Sequence, residues 1–110
     1  MSETEHEVPI TEVDLTTALH ALADPVRLDI LRQLATCGGG DLRCGELVMP
    51  VSKSTTTHHL KILTKAGLLA ERPEGTSKRL SLRRAEFDER FPGLLDSVLT
   101  AMKGQPTATT

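Results

Sequence analysis

The stretch VSKSTTTHHLKILTKAGLL, residues 51–69, decides how this chain is read. It reads as one amphipathic helix with two opposed faces. Ser52 stands where an N-cap belongs, since a short hydroxyl accepts from the orphan N–H groups of a first helical turn. Ala66-Gly67 supplies the small residue and the glycine that a left-handed helix stop requires. At about 3.6 residues per turn, Thr56, Leu60 and Leu63 share one side. Ser54, His58, Lys61 and Lys65 share the other, at i, i+4, i+7 and i+11. That outer face joins hydroxyl, imidazole and ammonium groups and holds no carboxylate. It suits a groove lined with phosphates and base edges, because a helix built only for solubility usually mixes in acidic residues.

The charge distribution around this helix agrees with its outer face. The 110-residue chain carries a net −2. Residues 1–50 hold three Lys or Arg against nine Asp or Glu, a balance of −6. Residues 51–84 hold eight against two, a balance of +6, and residues 85–110 hold two against four. A positive segment inside an acidic chain is the footprint of one surface that meets phosphates, and its plain alternative is a solvated charged face.

A chain of this length makes one domain with a modest core. Phe87 and Phe91 are the aromatics present, so that core must be aliphatic. No apolar run approaches the ~18 residues of a membrane span. The start, MSETEHEVPI, is acidic and lacks the apolar region of a signal peptide, so a cytoplasmic location is expected. Cys37 and Cys44 are too few for a disulfide framework.

Upstream, Leu15, Ala18, Leu19 and Leu22 follow the i, i+3, i+4, i+7 pattern of a first helix. Asp24-Pro25 restarts the chain, with Asp24 as N-cap and Pro25 at the first helical position. The second helix runs to about Ala35 and buries Leu28, Ile30, Leu31 and Leu34 before Gly38-Gly39-Gly40 breaks it. A short helix is expected around Cys44–Val48, ended by Met49-Pro50. Downstream, LLAER and KRLSL are strand-like runs about the turn Pro73-Glu74-Gly75-Thr76-Ser77. They predict a β-hairpin with Arg72, Lys78 and Arg79 near its tip. A last helix spans about Arg84–Met102, and Pro92 kinks or restarts it. The expected fold is mainly α with a small β-hairpin wing, in the order α-α-α-α-β-β-α. Its domain covers 13–103, between a disordered acidic tail at 1–12 and a disordered tail at 104–110.

A capped helix after a tight turn, followed by a basic hairpin, makes a winged helix-turn-helix. The chain resembles the ArsR/SmtB family of bacterial repressors over roughly residues 14–100. The matching stretches are ALADPVRLDILRQLA (21–35), CGEL (44–47), residues 51–69, and the wing RPEGTSKRLSL (72–82). The resemblance implies a homodimer paired through first and last helices, binding to double-stranded operator DNA, and repression relieved by a metal ion or another signal. It carries the recognition positions onto Ser52, Ser54, Thr55, Thr57, His58 and Lys61. Ser54, His58 and Lys61 face outward and reach toward bases. Ser52 and Thr57 flank that face and suit phosphates, which the helix N-terminus also attracts. Lys53, Lys65, Arg72, Lys78 and Arg79 complete the expected DNA-binding set. His59 lies nearer the buried side and is expected to pack on the second helix. Leu15, Leu19 and Leu22, with Leu95, Val98 and Met102, are the expected dimer contacts.

The metal-sensing motifs of that family do not carry over. Many relatives place two cysteines one residue apart at the start of the third helix, where this chain reads Leu42-Arg43-Cys44-Gly45-Glu46. Residues 84–103 hold neither His nor Cys. A tight zinc or thiophilic site needs three or four ligands in fixed geometry. Cys37 and Cys44, joined by His6 or His20, are a poor substitute, so no metal and no cofactor is expected. A thiol- or metal-responsive repressor sensing through Cys37 and Cys44 is the alternative, because the glycine loop lets two thiols meet. A protein-interaction winged-helix module is the alternative of another class. RNA or single-strand binding is disfavoured, since residues 51–84 offer no aromatic on which bases stack. No third group orients Cys44 with His58 or His59, so no enzyme is expected.

Overall fold

The computed structural model describes residues 8–37, 41–43 and 46–103. A 3-10 turn at Ile10–Glu12 leads into α1 (Leu15–Leu22), α2 (Pro25–Thr36), β1 (Asp41–Arg43) and α3 (Lys53–Lys65). Strands β2 (Leu69–Glu74) and β3 (Ser77–Leu82), then helices α4 (Arg84–Arg90) and α5 (Leu94–Lys103), complete the chain. This is a winged helix fold.

Local chemistry sets the helix boundaries. The Asp14 carboxylate accepts from Thr17 N at 2.8 Å and starts α1. That hydrogen bond holds the Asp14 carboxyl below its ordinary range. Asp24 starts α2, accepting from Val26 N at 2.9 Å and Arg27 N at 3.0 Å, with Pro25 at the position that needs no N–H. Ser52 Oγ accepts from Thr55 N at 3.2 Å and starts α3. Gly67, at φ +79°, ends it. A Cβ there would stand 2.6 Å from Ile10 Cδ1, so the position excludes side chains twice over.

The core is aliphatic around one aromatic. Ile30, Leu31 and Leu34 from α2 meet Leu60 and Leu63 from α3, Leu68, Leu69, Leu80 and the fully buried Phe87. Each such side chain withdrawn from water contributes about 1.5–3 kcal/mol. Leu28 is half-buried rather than buried, and its expected place on the apolar stripe goes to Arg27.

The hairpin is longer and tighter than the sequence suggests. Its strands extend to Glu74 and Ser77, pairing antiparallel from Leu69↔Leu82 to Glu74↔Ser77, so Gly75-Thr76 alone form the turn. Gly75 takes φ +64° there. Strand β1, which no periodicity announced, pairs with β3 and makes a sheet of order β1-β3-β2. Of the short helix expected at Cys44–Val48, Cys44 and Gly45 lie outside the described residues. Glu46 sits in a tight helical turn, and Leu47–Met49 follow without regular structure, Leu47 buried. The last helix is two helices. Pro92 lacks the N–H to continue α4, and Gly93 turns at φ +78° before α5 begins.

Residues 8–12 are not a free tail. Arg83 Nη1 donates to Val8 O at 2.8 Å, Arg90 Nε donates to Val13 O at 3.0 Å, and Val8 and Ile10 lean on the core. Two apolar side chains in an acidic stretch, met by two arginines, hold it down. Residues 1–7 and 104–110 lie outside the described residues.

Candidate nucleic-acid interface

Helix α3 presents the two faces that its sequence spells. Thr56, Leu60 and Leu63 are buried, and Ser54, His58, Lys61 and Lys65 are exposed. The helix is seated against α1, α2 and β2, so its polar face is the one left open. At its start the hydroxyls are engaged with one another. Ser52 Oγ donates to Thr55 Oγ1 at 3.0 Å and lies 3.4 Å from Ser54 Oγ. Thr57 Oγ1 donates back to Lys53 O at 3.0 Å. Ser52, Thr55 and Thr57 therefore hold the helix start in shape, and the hydroxyl protons of Ser52 and Thr57 are spent within it.

The cations of the basic segment sort into three groups. Lys53, Lys61, Lys65 and Arg72 are exposed and make no ion pair among the described residues. Lys78 and Arg79 are engaged within the wing. Lys78 Nζ stands 3.5 Å from Glu71 Oε1, and Arg79 donates to both Glu74 oxygens at 3.1 and 3.2 Å. The register explains the second pair. Arg72 lies directly opposite Arg79, and like charges facing across a ladder need a carboxylate between them. Arg83 and Arg84 are tied to carboxylates, Arg83 buried and Arg84 exposed. Arg83 is buried and donates to Glu86 at 2.9 Å, which lowers the Glu86 carboxyl below its ordinary range. Arg84 donates to Asp96 at 2.6 Å.

His59 packs on α2 as its position on the wheel suggests. Its Nδ1 lies 3.1 Å from Arg27 Nη1 and 3.9 Å from Asp24 Oδ2. The sequence did carry a signal for Arg27. It occupies the first place of the apolar 27-30-31-34 stripe of α2, where a charge must be buried or paired.

The expected dimer contacts divide as well. Leu15 is 52% exposed and Leu19 47% exposed. Val98 and Met102 are half-buried. Leu22 and Leu95 are consumed by the chain's own core at 7% and 1% exposure, because each points from its helix into the bundle rather than away from it. Cys37 is half-buried at the end of α2, its Sγ 3.1 Å from Leu34 O. Cys44 and His6 lie outside the described residues, so the Cys37–Cys44 pairing does too. Among the described residues no group of three His, Cys, Asp or Glu could hold a metal ion, and no helix is long and apolar enough to cross a membrane.

This arrangement has clear relatives. Residues 22–72 match a family described as a helix-turn-helix domain. The chain is 39% identical over 80 residues to YceK of Bacillus subtilis, an uncharacterized HTH-type transcriptional regulator, covering 71% of this chain and 79% of that protein. It is 43% identical over 63 residues to the HTH-type transcriptional regulator Rv2034 of Mycobacterium tuberculosis, covering 56% of each. In three dimensions it is similar to the crystal structure of an ArsR family transcriptional regulator. The TM-score is 0.62 at 19% identity, over 84% of this chain and 93% of that one. The chain belongs to the HTH-type transcriptional regulators, and its fold is the winged helix-turn-helix of ArsR type.

Proposed function

We propose that this regulator is a homodimeric repressor that reads an inverted repeat in double-stranded DNA, with residues 13–103 as its DNA-binding and dimerisation domain. One observation carries the reading: α3 leaves a carboxylate-free face of Ser54, His58, Lys61 and Lys65 open to solvent. Side chains of this length and type reach base edges in a major groove, and the exposed Lys53 and Arg72, which make no ion pair among the described residues, neutralise phosphates. Two such helices in a dimer read half-sites about one turn, ~34 Å, apart. The exposed Leu15 and Leu19 on α1, with Val98 and Met102 on α5, supply the apolar surface for pairing.

The test is a mobility-shift titration of the chain against DNA from upstream of its own gene, with duplex and RNA competitors. Retention that survives RNA and non-specific duplex is expected. Retention that RNA abolishes would assign the face to RNA. No retention of any nucleic acid would leave the protein-interaction reading. Salt supplies a second measure. Each phosphate neutralised adds about −0.9 to the log–log slope, so a dimer using two or more of Lys53, Lys61, Lys65 and Arg72 per subunit gives a slope near −4 or steeper.

A further inference from the structure

We infer that Arg27 and His59 form a positioning pair that fixes the recognition helix, and that the neutral imidazole with its proton on Nε2 is the competent form. The inference rests on the DNA reading above. Arg27 is buried at 6% exposure, and its guanidinium spans three helices. Nε donates to Ala21 O at 2.9 Å and Nη2 donates to His20 O at 3.0 Å. Both carbonyls lie in the last turn of α1, where His20 O also accepts from the capping Ala23 N at 3.2 Å. Nη1 then meets His59 Nδ1 at 3.1 Å, in the middle of α3.

Donor chemistry settles the proton. A guanidinium only donates, so Nδ1 must offer its lone pair and the ring proton must sit on Nε2. The charged groups about the ring act in opposite senses. A proton on Nδ1 would remove the acceptor and set a second cation against Arg27. Asp24 Oδ2, at 3.9 Å, would favour that proton, but Asp24 already accepts from Val26 N and Arg27 N. The exposed His58 ring lies 5.9 Å away, centroid to centroid, on the face that meets DNA. Among the described residues, α1 meets the pair through the two backbone carbonyls of Ala21 and His20.

The consequence for recognition is geometric. His59 adjoins His58 and lies two residues before Lys61 on the same helix. A contact that fixes the rotation of α3 about its axis therefore aims both outward side chains. Arginine is required because a lysine ammonium, a point donor on a flexible stem, cannot serve three acceptors held in a fork. Loss of aim reduces discrimination between sequences, whereas phosphate contacts tolerate it.

The experiment uses the full chain with His59→Asn, His59→Leu and Arg27→Lys. Asparagine keeps an acceptor near the place of Nδ1, and leucine removes it. Long-range nitrogen–proton NMR of the wild-type ring is expected to find the proton on Nε2. His59→Leu is expected to lose about tenfold in operator affinity while its affinity for non-specific duplex changes by no more than about twofold, and His59→Asn to recover most of the loss. Thermal melts accompany each variant, and an unfolded Arg27→Lys leaves the His59 pair of variants to decide. A ring proton on Nδ1, a folded His59→Leu that discriminates like wild type, or an Asn variant as defective as Leu would overturn the positioning role. Wild type that retains no duplex DNA would instead bring down the functional reading, and this inference with it.

Discussion

Gln33 holds Val48 by both ends of its peptide: the side-chain Nε2 donates to Val48 O at 2.8 Å, and Oε1 accepts from Val48 N at 2.9 Å. One amide on α2 thus substitutes for a strand partner and fixes the irregular segment that delivers the chain to Ser52. The Val48 side chain itself contributes little to this, being 78% exposed. Gln33→Leu removes both hydrogen bonds at a solvated site, where each contributes about 0.5–1.5 kcal/mol. Urea unfolding should lose about 1 kcal/mol, and operator discrimination should fall with it. An unchanged unfolding midpoint would mean the segment is held by the packing of Leu47 and Met49.

Gly67→Ala should cost more than substitution of Gly75 or Gly93, the other described glycines. The residue needs a positive φ, which costs a side-chain-bearing residue about 1–2 kcal/mol. The new Cβ would also meet Ile10 Cδ1 at 2.6 Å and Val13 Cγ2 at 3.1 Å. A total near 2 kcal/mol is expected in denaturant unfolding, against about 1 kcal/mol for Gly75→Ala, whose Cβ would meet open space. Equal effects at the two sites would show that the close approach of Ile10 has no energetic weight.

Base and phosphate contacts should separate by mutation. His58→Ala and Lys61→Ala should each cost about 1–3 kcal/mol of preference for the operator over unrelated DNA. Arg72→Ala should weaken all duplexes alike and flatten the salt slope by about one unit per phosphate lost. Arg79→Ala should have a smaller uniform effect than Arg72→Ala, because Glu74 already holds its guanidinium. Binding isotherms on operator and scrambled duplex decide the matter, and identical profiles for Lys61 and Arg72 would dissolve the distinction.

Leu15→Asp with Leu19→Asp should yield a folded monomer, since both side chains are largely exposed in the protomer. Leu95→Asp should unfold the protomer instead, a charge in its 1%-exposed place having no partner. Sedimentation combined with far-ultraviolet circular dichroism distinguishes these outcomes. A wild-type chain that sediments as a monomer at micromolar concentration would remove the dimer from the proposed function.

Zinc, cadmium and arsenite should leave operator affinity nearly unchanged, because Cys44 has no cysteine beside it and α5 contains no imidazole. If oxidation acts, linking Cys37 to Cys44 is the route that ties the end of α2 to the segment before α3. Titration with diamide and each metal, on wild type and on Cys37→Ser/Cys44→Ser, checks both statements. Submicromolar metal that releases DNA from wild type alone would reverse the first. An oxidant effect that persists in the double variant would eliminate the second.

The chain's sequence by itself determined α1, α2, α3 and the hairpin, because each is marked by local chemistry. Asp14, Asp24 and Ser52 cap helices through their own side chains, Gly67 and Gly75 take conformations other residues resist, and apolar spacing marks which face turns inward. The open face of α3 was legible for the same reason, since a helix of known phase has a known outside. Tertiary structure decided what depends on partners distant in sequence. It buried Arg83, paired Arg84 with Asp96 and Lys78 and Arg79 within the wing, and turned Leu22 and Leu95 into the core. It added β1 to β3, whose edge accepts a strand too short to show a period. It also joined Arg27 to His59 across 32 residues, a contact that charge and spacing leave open because only the crossing of α2 and α3 brings the two groups within 3.1 Å.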